Sequence, residues 1–87
     1  MPTPPDGWEL VDGAIRRELR FSDFNEAFAF MTRIALIAAQ RDHHPDWYNS
    51  YNTVVISLRS HDVGEITDRD IRMANAIDSV YGPQQQT

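Results

Sequence analysis

The chain of 87 residues contains no cysteine and only four glycines, and all eight of its basic residues are arginine. Without cysteine it has no disulfide, no thiolate for catalysis and no cysteine-based zinc or iron–sulfur site. No run of 18 or more apolar residues occurs, so we expect no membrane span. Residues 1–6 are polar and rich in proline, unlike a signal peptide, and the expected location is the cytoplasm.

Positive charge is also scarce. The chain has 13 acidic residues against eight arginines, a formal net charge of −5 and a pI of about 4.9. The arginines are scattered along the sequence rather than clustered. Since nucleic-acid binding draws mostly on positive charge facing phosphates, we expect no direct contact with nucleic acid.

The residues that are present suit one small folded domain. Hydrophobic residues make up 41% of the chain and aromatic residues 10%, as in folded rather than disordered proteins. We predict a flexible lead-in over residues 1–7, one domain over residues 8–82 and a polar tail over residues 83–87. A domain of this length has a thin core, so a homodimer or homotetramer is expected.

The first half of the domain predicts a β-hairpin followed by a helix. The Asp-Gly pair at 12–13 is a strong signal for a two-residue hairpin turn. Apolar and charged residues alternate after it, with Arg17 as the charged exception on the apolar face. Ser22 is the expected cap of a helix whose apolar spacing continues to about Arg41. The helix should end there because the residue before Pro45 avoids helical geometry.

The second half predicts another hairpin and another helix. Residues 47–51 are aromatic, and residues 53–60 alternate between apolar and polar side chains, as in a strand with one buried face. The segment 67–70 (TDRD) is typical of a capping box at a helix start, and the Gly-Pro pair at 82–83 should end that helix. The order ββαββα predicts an α+β domain with a four-stranded antiparallel sheet and helices packed on one face.

Three histidines are the best candidates for chemistry: His43, His44 and His61. The first two follow the first helix and the third follows the strongest strand, so a compact domain can bring them to one cleft. Histidine exchanges protons near neutral pH. Two histidines around one substrate suit a dehydration, in which a leaving hydroxyl is protonated and another proton is removed. Pro45 stiffens the segment, and Trp47 offers a flat face for a ring.

Other interpretations stay open on spacing alone. Histidine pairs often lie in surface turns, and His61 shortly before Gly64 is compatible with an ordinary loop. A metal site would use the histidines with Asp42 or Asp46, but the His-x-x-x-His spacing of helical zinc sites is missing. Asp70 is explained first by its place at a helix start.

The segment 42–49 (DHHPDWYN) and the alternating residues that lead to the Ser-His pair at 60–61 resemble the pterin-4a-carbinolamine dehydratases. That family also supplies the dimerisation cofactor of a homeodomain transcription factor in animals. The segments 24–36 and 69–74 are similar to the family as well, so the resemblance covers about residues 7–80. A His-His-Pro motif with a downstream histidine at this distance is a specific signal.

The resemblance implies an αββαββα fold that forms dimers or tetramers. It implies loss of water from a 4a-hydroxytetrahydropterin to give the quinonoid dihydropterin, which recycles tetrahydrobiopterin after aromatic amino acid hydroxylation. No metal and no organic cofactor are implied for this reaction.

By position, the resemblance makes His43 and His61 the acid/base pair, with His44 as the residue that holds and orients the pterin. Asp70 is implied to support the histidines. Taken together, the residues expected to border the pterin are Asp42, His44, Pro45, Trp47 and Ser60.

Two departures from the family pattern define an alternative. Ala39 stands where many members carry a glutamate linked to pterin binding, and the chain starts close to its first strand, so the family's N-terminal helix is expected to be missing. The alternative is a catalytically weak binding or dimerisation module of the same fold. We favour the dehydratase because a module kept only for binding has little need of three site histidines.

Overall fold

Two hairpins and two helices alternate in this protein. The structure, a computed structural model, describes residues 2–84. Its elements are β1 (Glu9–Val11), β2 (Ala14–Arg20), α1 (Phe24–Arg41), β3 (Asp46–Ser50), β4 (Thr53–Leu58) and α2 (Asp68–Gln84). The predicted order ββαββα and the α+β class are confirmed.

The four strands form one antiparallel sheet in the order β1-β2-β4-β3. The Asp-Gly turn at 12–13 joins β1 to β2 with φ angles of 51° and 80°, both in the left-handed region that a two-residue hairpin turn of this kind requires. Strands β2 and β4, which come from different hairpins, pair in the centre of the sheet. The edge strands are therefore β1 and β3.

One face of the sheet carries the core, and both helices pack against it. Every second side chain along β2 and β4 points to this face, because successive residues of a strand face opposite sides of the sheet. The helices contribute apolar residues at helical spacing to the same cluster. The largest fully buried apolar members from the strands and helices are Ile15, Leu19, Val54, Ile56, Leu58, Phe30, Ile34, Met73 and Ile77.

The start of α1 differs from the prediction by one residue. The N-cap is Asp23 rather than Ser22: the Asp23 carboxylate accepts a hydrogen bond from the backbone N–H of Glu26 at 2.9 Å. Glu26 reaches back to the backbone N–H of Ser22 at 3.4 Å. Aspartate and serine are comparable caps, and the extended backbone of Asp23 (φ −157°) places its carboxylate over the first turn.

The end of α2 also differs from the prediction. The helix continues through the Gly-Pro pair at 82–83 to Gln84, the last described residue, so the predicted stop at Gly82 was wrong. A proline clashes with the Cβ of a helical residue before it, and Gly82 has no Cβ. Residues 85–87 of the predicted tail lie outside the described residues.

The charged exception on the apolar face, Arg17, is explained by a partner on α2. The Arg17 guanidinium lies 2.6 Å from the Asp78 carboxylate and 5.2 Å from the centre of the Tyr81 ring. The indole N–H of Trp8 donates to the same carboxylate at 3.0 Å. Asp78 therefore ties the segment before β1, strand β2 and helix α2 together.

We expect Asp78→Ala to lower the free energy of unfolding by about 1–3 kcal/mol, because the Trp8 indole and the Arg17 guanidinium both lose a partly buried acceptor. Thermal unfolding measures this loss. Glu18→Ala is the matched control: Glu18 pairs with Arg20 on the exposed face, where an ion pair contributes about 0–1 kcal/mol. Equal shifts in the two variants would contradict a structural role for Asp78.

Within residues 2–84, neither helix combines the length and the apolar character needed to cross a membrane.

Candidate active site

The end of helix α1 sets the position of the histidine pair. Asp42 takes a left-handed conformation (φ 51°, ψ 41°), and its N–H donates to the carbonyl of Ala39. The N–H of His43 donates to the carbonyl of Ala38 at 3.1 Å. This is the Schellman pattern, in which two carbonyls at a helix end are satisfied as the chain turns away. The backbone of His43 is therefore held against the last turn of α1.

The side chain of His43 is held from the other side by Asp70 of α2. The distance between His43 Nε2 and Asp70 Oδ1 is 2.6 Å, the His43 side chain is only 11% exposed, and Asp70 is fully buried. A carboxylate accepts hydrogen bonds but does not donate them, so Nε2 carries the proton in this pair. In the neutral imidazole the acceptor is then Nδ1.

Asp70 also organises the start of α2. Its Oδ2 atom accepts hydrogen bonds from the hydroxyl of Ser60 at 2.8 Å and from the backbone N–H of Thr67 at 2.9 Å. The Ser60 and Thr67 hydroxyls lie 2.7 Å apart. The predicted capping-box-like start at 67–70 is confirmed: Asp70 accepts from the Thr67 N–H, and the Thr67 hydroxyl accepts from the N–H of Arg69 at 3.3 Å. The carboxylate that caps this helix is the one that holds His43.

The three histidines line one open hollow of about 360 Å³, which we call the histidine hollow. The structure thus brings together side chains from the end of α1 and from the loop after β4. The residues that line the histidine hollow are Asp42, His43, His44, Pro45, Asp46, His61, Asp62 and Arg69.

His61 differs from His43 in its surroundings. Its side chain is 59% exposed, and its Nε2 atom lies 3.6 Å from Asp46 Oδ2. That distance is too long for a hydrogen bond, so His61 has no fixed partner comparable to Asp70. The hollow combines one anchored imidazole with one exposed to water.

Arg69 lines the histidine hollow, although the sequence did not mark it as a site residue. Its Nη2 atom donates to Asp62 Oδ1 at 2.7 Å, and this hydrogen bond holds the pKa of the Asp62 carboxyl below its ordinary value. Arg69 directly precedes Asp70 at the start of α2. The sequence could have indicated Arg69 as a site residue, because it is the direct neighbour of Asp70, which was expected to support the histidines.

A second hollow of about 350 Å³ adjoins the first, and we call it the arginine hollow. It is lined by Arg41, His43, Arg69 and Arg72, so it shares His43 and Arg69 with the histidine hollow. Arg41 Nη1 donates to the carbonyl oxygen of Arg72 at 3.3 Å across the two helices. Nothing local in the sequence predicts this cluster, because Arg41 and Arg72 meet only through the packing of α1 on α2.

Within residues 2–84, no group of three or more acidic or histidine side chains is arranged to hold a metal ion.

A family model described as pterin 4 alpha carbinolamine dehydratase matches residues 2–80. The chain belongs to this dehydratase family. A relative from Paraburkholderia xenovorans (strain LB400), named "Putative pterin-4-alpha-carbinolamine dehydratase", is 51% identical over 85% of this chain and 79% of its own length. A relative of the same name from Bradyrhizobium sp. (strain ORS 278) is 55% identical over 85% of this chain and 76% of its own.

One solved structure agrees with this family, and a second shares the fold. A protein described as a transcriptional coactivator/pterin dehydratase from Brucella melitensis superposes with a TM-score of 0.86 at 44% identity, over 88% of this chain and 84% of that one. A pterin dehydratase-like protein described as a RuBisCO assembly factor in the alpha-carboxysome superposes with a TM-score of 0.72 over 86% and 87% of the two chains. Its identity is 16%, so this second likeness shows the fold alone.

Two residues that were expected from the sequence to border the pterin lie outside the lining of the histidine hollow. Trp47 pairs in register with Ile56, and its ring therefore lies on the core side of β3, where it packs against the buried cluster. Ser60 is buried, and its hydroxyl reaches the site only through Asp70.

Ala39, where many dehydratases carry a glutamate, is exposed in the last turn of α1, four residues before His43. An alanine there offers a methyl group and no acceptor for a ligand. This chain therefore lacks a carboxylate at that point.

Proposed function

We propose that this protein removes water from a 4a-hydroxytetrahydropterin to give the quinonoid dihydropterin, as a step in tetrahydrobiopterin recycling. The observation that carries the proposal is the convergence of three histidines on one hollow, with His43 anchored by the buried Asp70. Membership of the dehydratase family gives this arrangement its substrate class.

In the proposed reaction, His43 and His61 act as the acid/base pair. One imidazolium donates a proton to the C4a hydroxyl, and the C4a–O bond breaks with release of water. The other imidazole takes the N5 proton as the C4a–N5 double bond forms, so the substrate loses one water in total. Because Nε2 of His43 is bound to Asp70, Nδ1 is the nitrogen through which His43 exchanges a proton.

The remaining residues position the ring in this proposal. His44, Asp42 and Pro45 line the hollow and border the pterin. Ser60 acts as a positioning residue through Asp70. Trp47 supports the site only indirectly, because it packs against the buried cluster from the core side of β3.

The decisive experiment is an assay with freshly generated 4a-hydroxytetrahydropterin. The purified protein should accelerate the loss of water well above the rate in buffer, with a pH dependence that reports two ionising groups. A rate equal to that of buffer over the whole pH range would overturn the proposal.

A binding module with weak catalysis is the second candidate. It is favoured by Ala39 and by the neighbour from Brucella melitensis, which is described as a coactivator as well as a dehydratase. This candidate predicts association with a partner protein in the absence of pterin, together with negligible turnover. The dehydration assay separates the two candidates.

We also propose that the protein works in the cytoplasm as a homodimer or homotetramer. Phe24 and Phe28 stack on the outer face of α1 with ring centroids 5.7 Å apart, and Leu36 is exposed on the same helix. The edge strands β1 and β3 leave further pairing groups open. Covering such surfaces with a second copy removes apolar area from water.

Light scattering should therefore give a mass two or four times the 10.0 kDa of one chain. Phe28→Asp should lower the mass, since it places a charge in the aromatic pair. Arg33→Asp, also exposed on α1, is the control and should leave the mass unchanged. A monomer at micromolar concentration would contradict this prediction.

A further inference from the structure

The arginine hollow is an unusual concentration of positive charge in an acidic chain. Three of the eight arginines line it, although the chain carries a formal net charge of −5. In the part of the chain that the structure describes, no acidic residue lines this hollow, whereas the histidine hollow beside it is lined by three aspartates.

The fold itself assembles these cations. Arg69 and Arg72 are three residues apart on α2, so they lie on neighbouring positions of one helix face. Arg41 lies in the last turn of α1 and is directed to α2 by its hydrogen bond to the Arg72 carbonyl. The hollow is therefore formed where the end of one helix meets the beginning of the other.

The charge of this cluster is only partly balanced by the protein. Arg69 pairs with Asp62, but no described carboxylate forms an ion pair with Arg41 or Arg72. Like charges gathered in one place repel each other, and an incoming anion relieves that repulsion. Arg69 and Arg72 project from the N-terminal part of α2, where the positive end of the helix dipole also favours a bound anion.

Guanidinium groups are well suited to phosphate, because their planar fork donates two parallel hydrogen bonds to two oxygens. A phosphate monoester carries close to two negative charges at neutral pH, which matches a site with two unpaired cations better than a single carboxylate does. A hollow of about 350 Å³ also accommodates more than the phosphate group itself.

We infer that the arginine hollow binds a phosphate group carried on the side chain of the pterin, so that the preferred substrate is a phosphorylated pterin. The shared residues, His43 and Arg69, place the two hollows next to each other, as a ring with an anionic side chain requires. The inference rests on the proposed dehydratase function for the identity of the ring, whereas the anion site rests on the arginines alone.

The first test compares two 4a-hydroxytetrahydropterins that differ only in a phosphate on the side chain. We expect kcat/KM to be about tenfold or more higher for the phosphorylated substrate, mainly through KM. The double variant Arg41→Ala/Arg72→Ala should bring the ratio of the two kcat/KM values close to one, and Arg33→Ala should keep the wild-type ratio. Equal kcat/KM values in the wild type would overturn the inference and leave the dehydratase proposal standing.

The second test measures binding without turnover, by calorimetry with inorganic phosphate and with a stable phosphorylated pterin. We expect the phosphorylated pterin to bind more tightly than the unphosphorylated one, and the double variant to abolish the difference. If no pterin is turned over but this difference persists, the anion site stands and the proposed reaction fails. If inorganic phosphate binds through Arg41 and Arg72 but the two pterins bind equally, the anion is a separate ligand and the inference fails.

Discussion

Replacement of His43 by alanine is expected to lower kcat of the dehydration by about a hundredfold to ten-thousandfold, the range that a positioned acid or base contributes. His43 is the least exposed of the three site histidines, and its ring is oriented by Asp70. The measurement is turnover of freshly generated 4a-hydroxytetrahydropterin by purified variants. His61→Ala should also slow the reaction strongly, and normal rates in both variants would refute the proposed acid/base pair.

A second variant separates chemistry from folding at the same position. His43→Ala leaves Asp70 Oδ1 without its partner, which should cost about 1–3 kcal/mol of stability. His43→Gln can still donate a hydrogen bond to Asp70 from a position close to Nε2, but it cannot exchange a proton. We therefore expect His43→Gln to keep most of the stability and to lose the rate. His61 is exposed, so His61→Ala should lose rate with little change in thermal unfolding.

Replacement of Asp70 by alanine is expected to have the largest effect on stability, a loss of about 3–5 kcal/mol, because it leaves a network of buried polar groups without its shared acceptor. Asp70 accepts from Ser60 and Thr67 and contacts His43 while being fully buried. A domain of this length has a total stability of only about 4–13 kcal/mol, so the variant should unfold at a far lower temperature.

Asp68→Ala is the matched control, since Asp68 is an exposed acidic residue in the same first turn of α2. Its removal should cost at most about 1 kcal/mol, the contribution of a charge near a helix end. Equal stability losses for Asp68→Ala and Asp70→Ala would show that Asp70 acts only as a helix-start residue.

Asp70→Asn tests the positioning role in a protein that folds. The amide has the shape of the carboxylate, but it can turn an N–H toward His43 Nε2 and so favour the tautomer with the proton on Nδ1. We expect a lower kcat with a smaller change in KM and an altered pH profile. A variant with normal kcat and normal pH dependence would exclude positioning through the tautomer.

Much of the fold could be predicted because its signals are local. The Asp-Gly turn at 12–13, the alternation along β2 and β4 and the capping box at 67–70 each depend on residues within a few positions of one another. The two errors, at Ser22 and Gly82, concern helix ends, where several neighbouring residues satisfy the same backbone groups almost equally well.

The sequence by itself determined the element order, the buried faces of β2 and β4 and the family, because these follow from side-chain periodicity, turn chemistry and one specific motif. Only the tertiary structure decided which distant residues meet. His43 and Asp70 are separated by 27 positions, and Arg41 and Arg72 by 31. Such contacts depend on strand register and on how α1 packs against α2, and both are set by burial summed over the whole core rather than by any local pattern.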